Sequence, residues 1–507
     1  MISRVLDISY NGRLTSALHG QMTNPSDGCA VSYDVAKPQK DANYWSATEN
    51  NSNNAWYVHF GNGNLSYNLG KNVSYVVRPV TALEDKSFDL FVKSVWDAFF
   101  DCLRGKSSSM EALGYLVLAE WDIPRLAREL WEGTYQPSIS TCFLVTYPKL
   151  REVFAANFRD RIVHHWVCLR LNPLFEARFE NQGNVSFNCR KHFGTNKAVE
   201  HVANEMCRIS HNYHRKAWVF RGDLVGFFMS IDKDILWYHL DRFITRWHKR
   251  YIRSGWQTIP QPVFDRLGTN VMPEMYWTIL YRTTKTIVMH HPERNCVINT
   301  NPAMWHALAP NKSLFTSVTG EPIGNLTTQL FANFLMTFFV SYIQYKFRGR
   351  EYGMAQFVDD FVLVSPDRNF LLRTISDIEV FLDKTLHLKL HKDKRYFQPV
   401  SHGLMFVGTY IKPSRLYLSN RTLARFEERC NGFRALMESR ALTSIDCRRI
   451  EEVINSYLGF CRNRSTYNKR VKLINSMGAE FWRYFFVRGH YETIRIRPTY
   501  RPVNINL

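Results

Sequence analysis

The chain has 507 residues, 45% of them hydrophobic, and a formal net charge of +20, which suits a globular protein of roughly two to four domains facing a polyanion. Its ten cysteines show no zinc-like spacing and are too few for a disulfide scaffold, which fits a reducing cytosol. No apolar run reaches membrane-spanning length, and Met1 to Gly20 lacks the apolar centre of a signal peptide.

Residues 1–84 stand apart in composition, with asparagines at 50, 51, 53, 54, 62, 64, 68 and 72. Residues 1–80 carry six basic and five acidic side chains, so +19 of the charge belongs to the remainder. Leu90 to Leu103 and Met110 to Glu120 read as amphipathic helices, and basic strands are expected near 133–150. A further helix is expected over Val199 to Arg208. Ala217 to Ile231 reads as a strand running into a Gly-containing bend, with Asp223 at the strand end. Residues 255–318 read as an irregular, aromatic and Pro-containing connector. Glu321-Pro322-Ile323-Gly324-Asn325-Leu326-Thr327-Thr328-Gln329 then opens a long apolar helix, Leu330 to Val340. Pro and Gly before a helix start fit a close backbone approach to a ligand. Gly353 to Val364 reads as a hairpin with Asp359-Asp360 at its tight turn, followed by a helix from Ile375 to Leu386. Residues 415–485 read as mostly helical and basic. The stretch after His490 has Arg495, Arg497 and Arg501 without helical periodicity, and is expected to stay disordered until it meets nucleic acid.

The chemistry concentrates on three carboxylates. Adjacent Asp359 and Asp360 repel each other and lose hydration on a folded surface, so a cation is expected to compensate them. A divalent metal pair that activates a hydroxyl and steadies a leaving phosphate is the natural candidate; the bland alternative is a solvated Asp-Asp turn. Asp223, at a strand end, is placed to meet a neighbouring hairpin, and phosphate chemistry on metals needs such convergence from distant sequence. Its bland alternative is a cap on the helix that starts near Asp232.

The order strand-Asp, Gly-turn-helix, Asp-Asp hairpin resembles the palm of reverse transcriptases. More narrowly, it resembles the reverse transcriptases of diversity-generating retroelements, over most of residues 85–480. That family typically reads Ile-Gly-Asn-x-x-Ser-Gln before the palm helix, and here Ile323-Gly324-Asn325-Leu326-Thr327-Thr328-Gln329 stands there. Lys149 to Phe154, Phe158 to His165 and Cys189 to Thr195 are similar to the fingers, and Gly403-Leu404-Met405-Phe406-Val407-Gly408 to the primer-grip hairpin. The resemblance implies an α+β right-hand polymerase. Fingers and palm would occupy 85–414, a helical thumb 415–489 and a basic tail 490–507, behind a leader at 1–84.

It also implies a site. Asp223, Asp359 and Asp360, with Leu224 beside Asp223, would bind two Mg²⁺ ions, with Mn²⁺ able to substitute. Lys149 and Arg151 would neutralise the triphosphate, or be plain surface charge. Phe228 resembles a steric gate against a ribose 2′-hydroxyl, or is a core aromatic. Lys394, or Lys392 instead, would protonate pyrophosphate. Ile323 stands where most relatives carry Gln, and Gly324 follows it at the nucleotide. An apolar side chain removes polar contacts that hold the nascent pair in register, which the resemblance ties to misincorporation opposite template adenines; alternatively, Ile323 merely packs against the palm. Arg462, Arg464, Lys469 and Arg470, interleaved with aromatics, suit tracking of a template–primer backbone.

Asp41 to Val80 resembles the C-terminal part of the C-type-lectin-fold variable proteins that such retroelements diversify. Asn codons are adenine-rich, so the leader resembles a translated template repeat, an incomplete lectin-like or disordered fragment, with the polymerase start expected downstream of Val80. A fused binding module is the rival. The implied partners are template RNA, cDNA or primer, deoxynucleoside triphosphates and a basic accessory protein, in the cytoplasm of a bacterium or its phage. The other classes left open are an intron-type or defence-associated reverse transcriptase and a non-catalytic nucleic-acid-binding relative.

Overall fold

The computed structural model describes residues 43–49, 55–59, 64–66, 86–104, 109–146, 149–254, 274–300, 302–309 and 312–500. The chain divides into two compact units, 1–136 and 137–507, and is of mixed α+β class. Most of the Asn-rich stretch, the rest of the leader and the last seven residues lie outside the described residues.

In the first unit, β1 (Asn43–Glu49), β2 (Ala55–His59) and β3 (Asn64–Ser66) form an antiparallel sheet in that order. Helices α1 (Lys86–Leu103) and α2 (Met110–Glu132) follow. Ser109 caps α2 by accepting from the Ala112 N–H at 3.3 Å, and Gly133 ends it at φ +84°. The pair is held by aromatic packing, with Trp131 5.3 Å from Phe88 and 5.4 Å from Phe91.

The second unit starts with β4 (Ser140–Val145) and β5 (Arg151–Ala155), then α3 (Phe158–Asn181) and α4 (Thr195–Ile209). Next come β6 (Trp218–Gly222), a short α5 (Phe227–Ser230), α6 (Lys233–Ser254) and α7 (Glu274–Met289). The segment expected as an irregular connector therefore contains a 16-residue helix. Its buried Tyr276, Trp277, Ile279, Leu280, Thr283, Thr284, Ile287 and Val288 recur at helical spacing, and the β-branched and aromatic content hid that period. Strand β7 (Cys296–Ile298) returns to pair parallel with β4, giving a sheet of order β5-β4-β7.

Helix α8 (Leu326–Lys346) is apolar on nearly every face and is the core element. Phe334 stacks on Phe175 of α3 at 4.4 Å, while Phe339 meets Phe361 at 4.7 Å. By length and composition this helix could cross a membrane, contrary to the expectation of no such run. Its Thr, Asn, Gln and Ser residues interrupt the apolar run, and 72% of its apolar window is buried in the fold.

Strands β8 (Gly353–Phe357), β9 (Asp360–Ser365) and β10 (Tyr396–Pro399) join β6 in an antiparallel sheet of order β10-β6-β9-β8, with α9 (Arg368–Leu386) between β9 and β10. Helix α4 packs on this sheet through Val199, Val202 and Met206. A three-stranded meander follows: β11 (Leu404–Phe406), β12 (Thr409–Lys412) and β13 (Arg415–Leu418).

Helices α10 (Asn420–Ser439), α11 (Ser444–Cys461), α12 (Tyr467–Asn475) and α13 (Ala479–Tyr484) build a second core around Phe426, Ile450, Ile454, Leu458 and Phe481. The stretch after His490, expected to lack structure, is ordered where described. Strand β14 (Phe485–Arg488) pairs with β15 (Thr493–Ile496), whose Ile494 and Ile496 sink into that core. The signal was a period of two rather than a helical one.

Candidate active site

The central sheet brings the three carboxylates to one end. Gly222 of β6 pairs with Phe361 of β9, and Phe357 pairs with Asp360 across a two-residue turn, so Asp223 leaves its strand beside the Asp359-Asp360 turn. Gly222 is required here: a Cβ would lie 2.6 Å from the Phe361 ring. Val358 opens the turn at φ +57°, a strained conformation for a β-branched residue. Gln356, fully buried, braces it by donating from Nε2 to the Val358 carbonyl at 2.6 Å.

Each flanking acid has a cation. Lys394 Nζ donates to Asp223 Oδ2, and Arg221 donates to Asp360 Oδ1 from Nε at 3.1 Å and Nη2 at 2.8 Å. Asp359 has neither, and its carboxyl is pushed up to about 6, first by burial and then by the charges of Asp223 and Asp360. Burial also raises Asp360, against the opposing pull of Arg221. Arg221 further donates from Nη1 to the Met405 carbonyl at 3.0 Å, which ties the β11–β12 hairpin to the acids.

Lys394 reaches Asp223 because residues 389–391 run antiparallel to 223–225. The His391 N–H donates to the Asp223 carbonyl at 2.7 Å and the Val225 N–H to the Lys389 carbonyl at 2.8 Å, on either side of the Leu224–Leu390 pair. Neither bond uses the Leu224 carbonyl. Lys392 is exposed in the same turn and is not paired with these acids. The helix after the bend is capped by Asp232, whose Oδ1 accepts from the Asp234 and Ile235 N–H groups at 2.9 and 3.2 Å, so Asp223 is not its cap.

A second run of backbone bonds joins Phe228 to the Ile323-Gly324 turn. The Glu321 N–H donates to the Phe228 carbonyl at 2.8 Å, and the Phe154 N–H of β5 donates to the Ile323 carbonyl at 2.8 Å. Gly324, at φ +130°, lies so close to β5 that a Cβ would sit 2.5 Å from the Phe154 carbonyl oxygen. Phe228 is half-buried, whereas its neighbour Phe227 is the buried core ring. Ile323 is half-buried against Cys142, Phe154, Met229 and Leu314, so it does pack. Lys149 and Arg151 are both exposed, Arg151 at the start of β5 opposite Val145. They are not drawn to the carboxylates by any ion pair.

Among the described residues, no three His, Cys, Asp or Glu side chains form a ready metal cage. The donors nevertheless fit a hard divalent ion: three carboxylates crowd together, and the repulsion on Asp359 is what a cation would relieve. Arg221 and Gln356 escaped sequence reasoning. Arg221 stands two residues before Asp223, on the same side of a strand, which was the available signal.

The C-terminal cations divide. Arg464 and Arg470, expected among the cations that track a template–primer backbone, are 7% and 6% exposed and hold parts of the fold together. Arg464 donates to Thr409 Oγ1 at 2.7 Å and Asn196 Oδ1 at 3.0 Å, and Arg470 to the Tyr491 carbonyl at 2.9 Å. Arg462 and Lys469 are exposed.

No family model matches the sequence, and no curated protein matches it. Among solved structures, the chain is similar to telomerase from Candida albicans in complex with a TWJ fragment of telomeric RNA, at 12% identity and TM-score 0.38. That match covers 73% of this chain and 61% of the other. It is also similar to apo telomerase from Candida tropicalis, at 9% identity and TM-score 0.35, covering 69% of this chain and 63% of the other. In each case the chain spans less than two-thirds of the neighbour's length.

Proposed function

We propose that the chain is an RNA-directed DNA polymerase. The observation that carries this reading is the meeting of Asp223 with the Asp359-Asp360 turn at one end of the central sheet, with Lys394 on Asp223. In this reading the sheet with α8 is the palm, β5 and its neighbours belong to the fingers, and residues 415–489 form the thumb. Asp223 and Asp359, with Asp360 and the Leu224 carbonyl nearby, would hold Mg²⁺, or Mn²⁺ in its place. Bound there, the ions supply activation of the primer 3′-hydroxyl and neutralise charge on the leaving pyrophosphate.

The chain's own residues do the rest. Arg221 favours the charged form of Asp360 and aims it while tying the β11–β12 hairpin to it. The 3′-hydroxyl gives its proton to solvent, its oxygen forms a bond to the α-phosphorus as the bond to the α–β bridging oxygen breaks, and Lys394 leaves Asp223 to give a proton to the departing pyrophosphate. Lys149 and Arg151 are exposed and available to the triphosphate oxygens. The Phe228 carbonyl accepts from the Glu321 N–H just before the Ile323-Gly324 turn, and its half-buried ring would act there as a steric gate. Phe228→Ala is therefore expected to raise ribonucleotide relative to deoxynucleotide incorporation roughly 10–100-fold in competition assays. An unchanged ratio would place Phe228 in the core only.

At a finer level, the polymerase belongs to a diversity-generating retroelement and makes adenine-mutagenised cDNA from a template repeat, with a basic accessory protein, in the cytoplasm. The support is Ile323-Gly324-Asn325 and the Asn-rich leader. Ile323→Gln is expected to lower misincorporation opposite template adenines about tenfold, read by sequencing cDNA. The same error spectrum in both proteins would remove Ile323 from fidelity. The encoding DNA offers a separate check: a neighbouring gene should repeat the codons for 43–80 with differences concentrated at adenines.

A further inference from the structure

A pocket of about 490 Å³ lies between the C-terminal half of α4, the β12–β13 turn and the 462–465 turn that follows α11. It is not at the carboxylates. The wall contributed by α4 ends at Cys207, and on that stretch of the helix Arg208 donates to the Tyr352 carbonyl at 2.7 Å. Tyr352 precedes β8, whose far end carries the Asp-Asp turn, about 17 Å away at ~3.3 Å per residue.

Four cations line it, Lys412, Arg415, Arg462 and Arg464, and none of its lining residues is a carboxylate. Lys412, Arg415 and Arg462 are exposed at its rim; Arg462 has a partial counter-charge in Glu492 at 3.7 Å. Arg464 differs. It is 7% exposed, its Nε and Nη1 are committed to Thr409, Asn196 and the Phe460 carbonyl, and its Nη2 has no hydrogen-bond partner. A buried guanidinium nitrogen left unpaired costs free energy unless an acceptor arrives. Ser414 and Ser465 add hydroxyls that can donate to the same acceptor.

We propose that this pocket binds the phosphodiester of a single-stranded nucleic-acid segment, outside the primed duplex at the catalytic carboxylates. Four cations without an acid select a phosphate: Lys412, Arg415 and Arg462 are the exposed donors, and the buried Arg464 adds its positive charge behind them. The volume admits about one nucleotide unit, and the open rim lets a chain enter and leave. A free nucleotide offers the same phosphate chemistry, so the test separates the two sources.

The experiment uses the full chain loaded with a saturating RNA–DNA primed duplex and measures binding of a fluorescent 12-nucleotide oligo(U) RNA against salt. Lys412→Ala/Arg415→Ala is expected to weaken the oligomer about tenfold and to flatten the salt slope by about 1.4, two phosphates' worth for a single strand. Extension of the primed duplex stays unchanged in that variant. A charge-matched control elsewhere on the surface, Arg348→Ala/Lys384→Ala, is expected to bind as the wild type does. Equal losses in both double variants, or no loss in the first, would overturn the proposal. So would uridine monophosphate binding as tightly as the oligomer, which would make this a mononucleotide site. If the wild type extends no primer, the polymerase reading fails while the oligomer readout still decides this one.

Discussion

Asp359→Asn is expected to lower RNA-templated deoxynucleotide incorporation on the order of 10³-fold, about 4 kcal/mol of transition-state stabilisation. Asp359 is the acid of the three without a paired cation, while Asp223 and Asp360 are occupied by Lys394 and Arg221. It is therefore the carboxylate most available to a metal ion and the one most penalised without it. The same variant separates lost chemistry from lost fold. The Asp359 carboxyl is raised from 3.8 to about 6 in the fold, so its ionisation disfavours folding as pH rises across that window, and the cost is full at pH 7. Metal-free Asp359→Asn protein should consequently melt no lower than wild type at pH 7. A variant that is inactive and also melts much lower would show that Asp359 supports the fold instead.

Glu321→Gln is expected to stabilise the protein at alkaline pH, by on the order of 3 kcal/mol at pH 9. Glu321 is 2% exposed, and its Oε1 has no hydrogen-bond partner. Burial pushes its carboxyl up from 4.5 to about 8, and the Lys233 ammonium only partly offsets this. Lys233 itself is lowered by burial and donates to the His290 carbonyl. A carboxyl whose folded pKa exceeds its unfolded one holds a proton in the fold and gives it up on unfolding at neutral pH. Stability is thus retained below pH 4.5 and lost as pH rises to about 8. Glutamine removes that slope. Thermal melts of the two proteins should run close together at pH 5 and separate by a few degrees at pH 9, with the variant higher. The reverse order at pH 9 would mean that the attraction of the Lys233 charge outweighs the burial penalty. Because Glu321 joins Phe228 through its backbone N–H, which glutamine retains, the choice between ribo- and deoxynucleotides should not change.

Local chemistry made parts of this fold legible. Two short apolar runs around an acid pair marked the β8–β9 hairpin, and the run from Leu330 marked α8, because both signals are written in consecutive residues. The partners of the acids were not legible. Arg221 meets Asp360 across 139 positions and Lys394 meets Asp223 across 171, distances that only the sheet order closes. That Lys394 and not Lys392 meets Asp223 follows from the short antiparallel match of 389–391 with 223–225, too brief to register as a strand pattern. Burial of Arg464 and Arg470 was hidden for a related reason. An Arg in a basic, aromatic stretch looks the same whether its guanidinium meets water or, like Arg464, the Thr409 hydroxyl 55 positions away. The β14–β15 hairpin was missed by asking only about helical spacing, although Ile494 and Ile496 alternate with Arg495 and Arg497.

The central claim is that the three carboxylates at the end of the sheet transfer deoxynucleotides under the direction of RNA. The most direct measurement is primer extension by the purified full chain on a primed RNA template with all four deoxynucleoside triphosphates. Extension should appear with Mg²⁺ or Mn²⁺, stop with a chelator, and be absent from Asp223→Asn. No extension with either metal, or extension that survives Asp223→Asn, would contradict it.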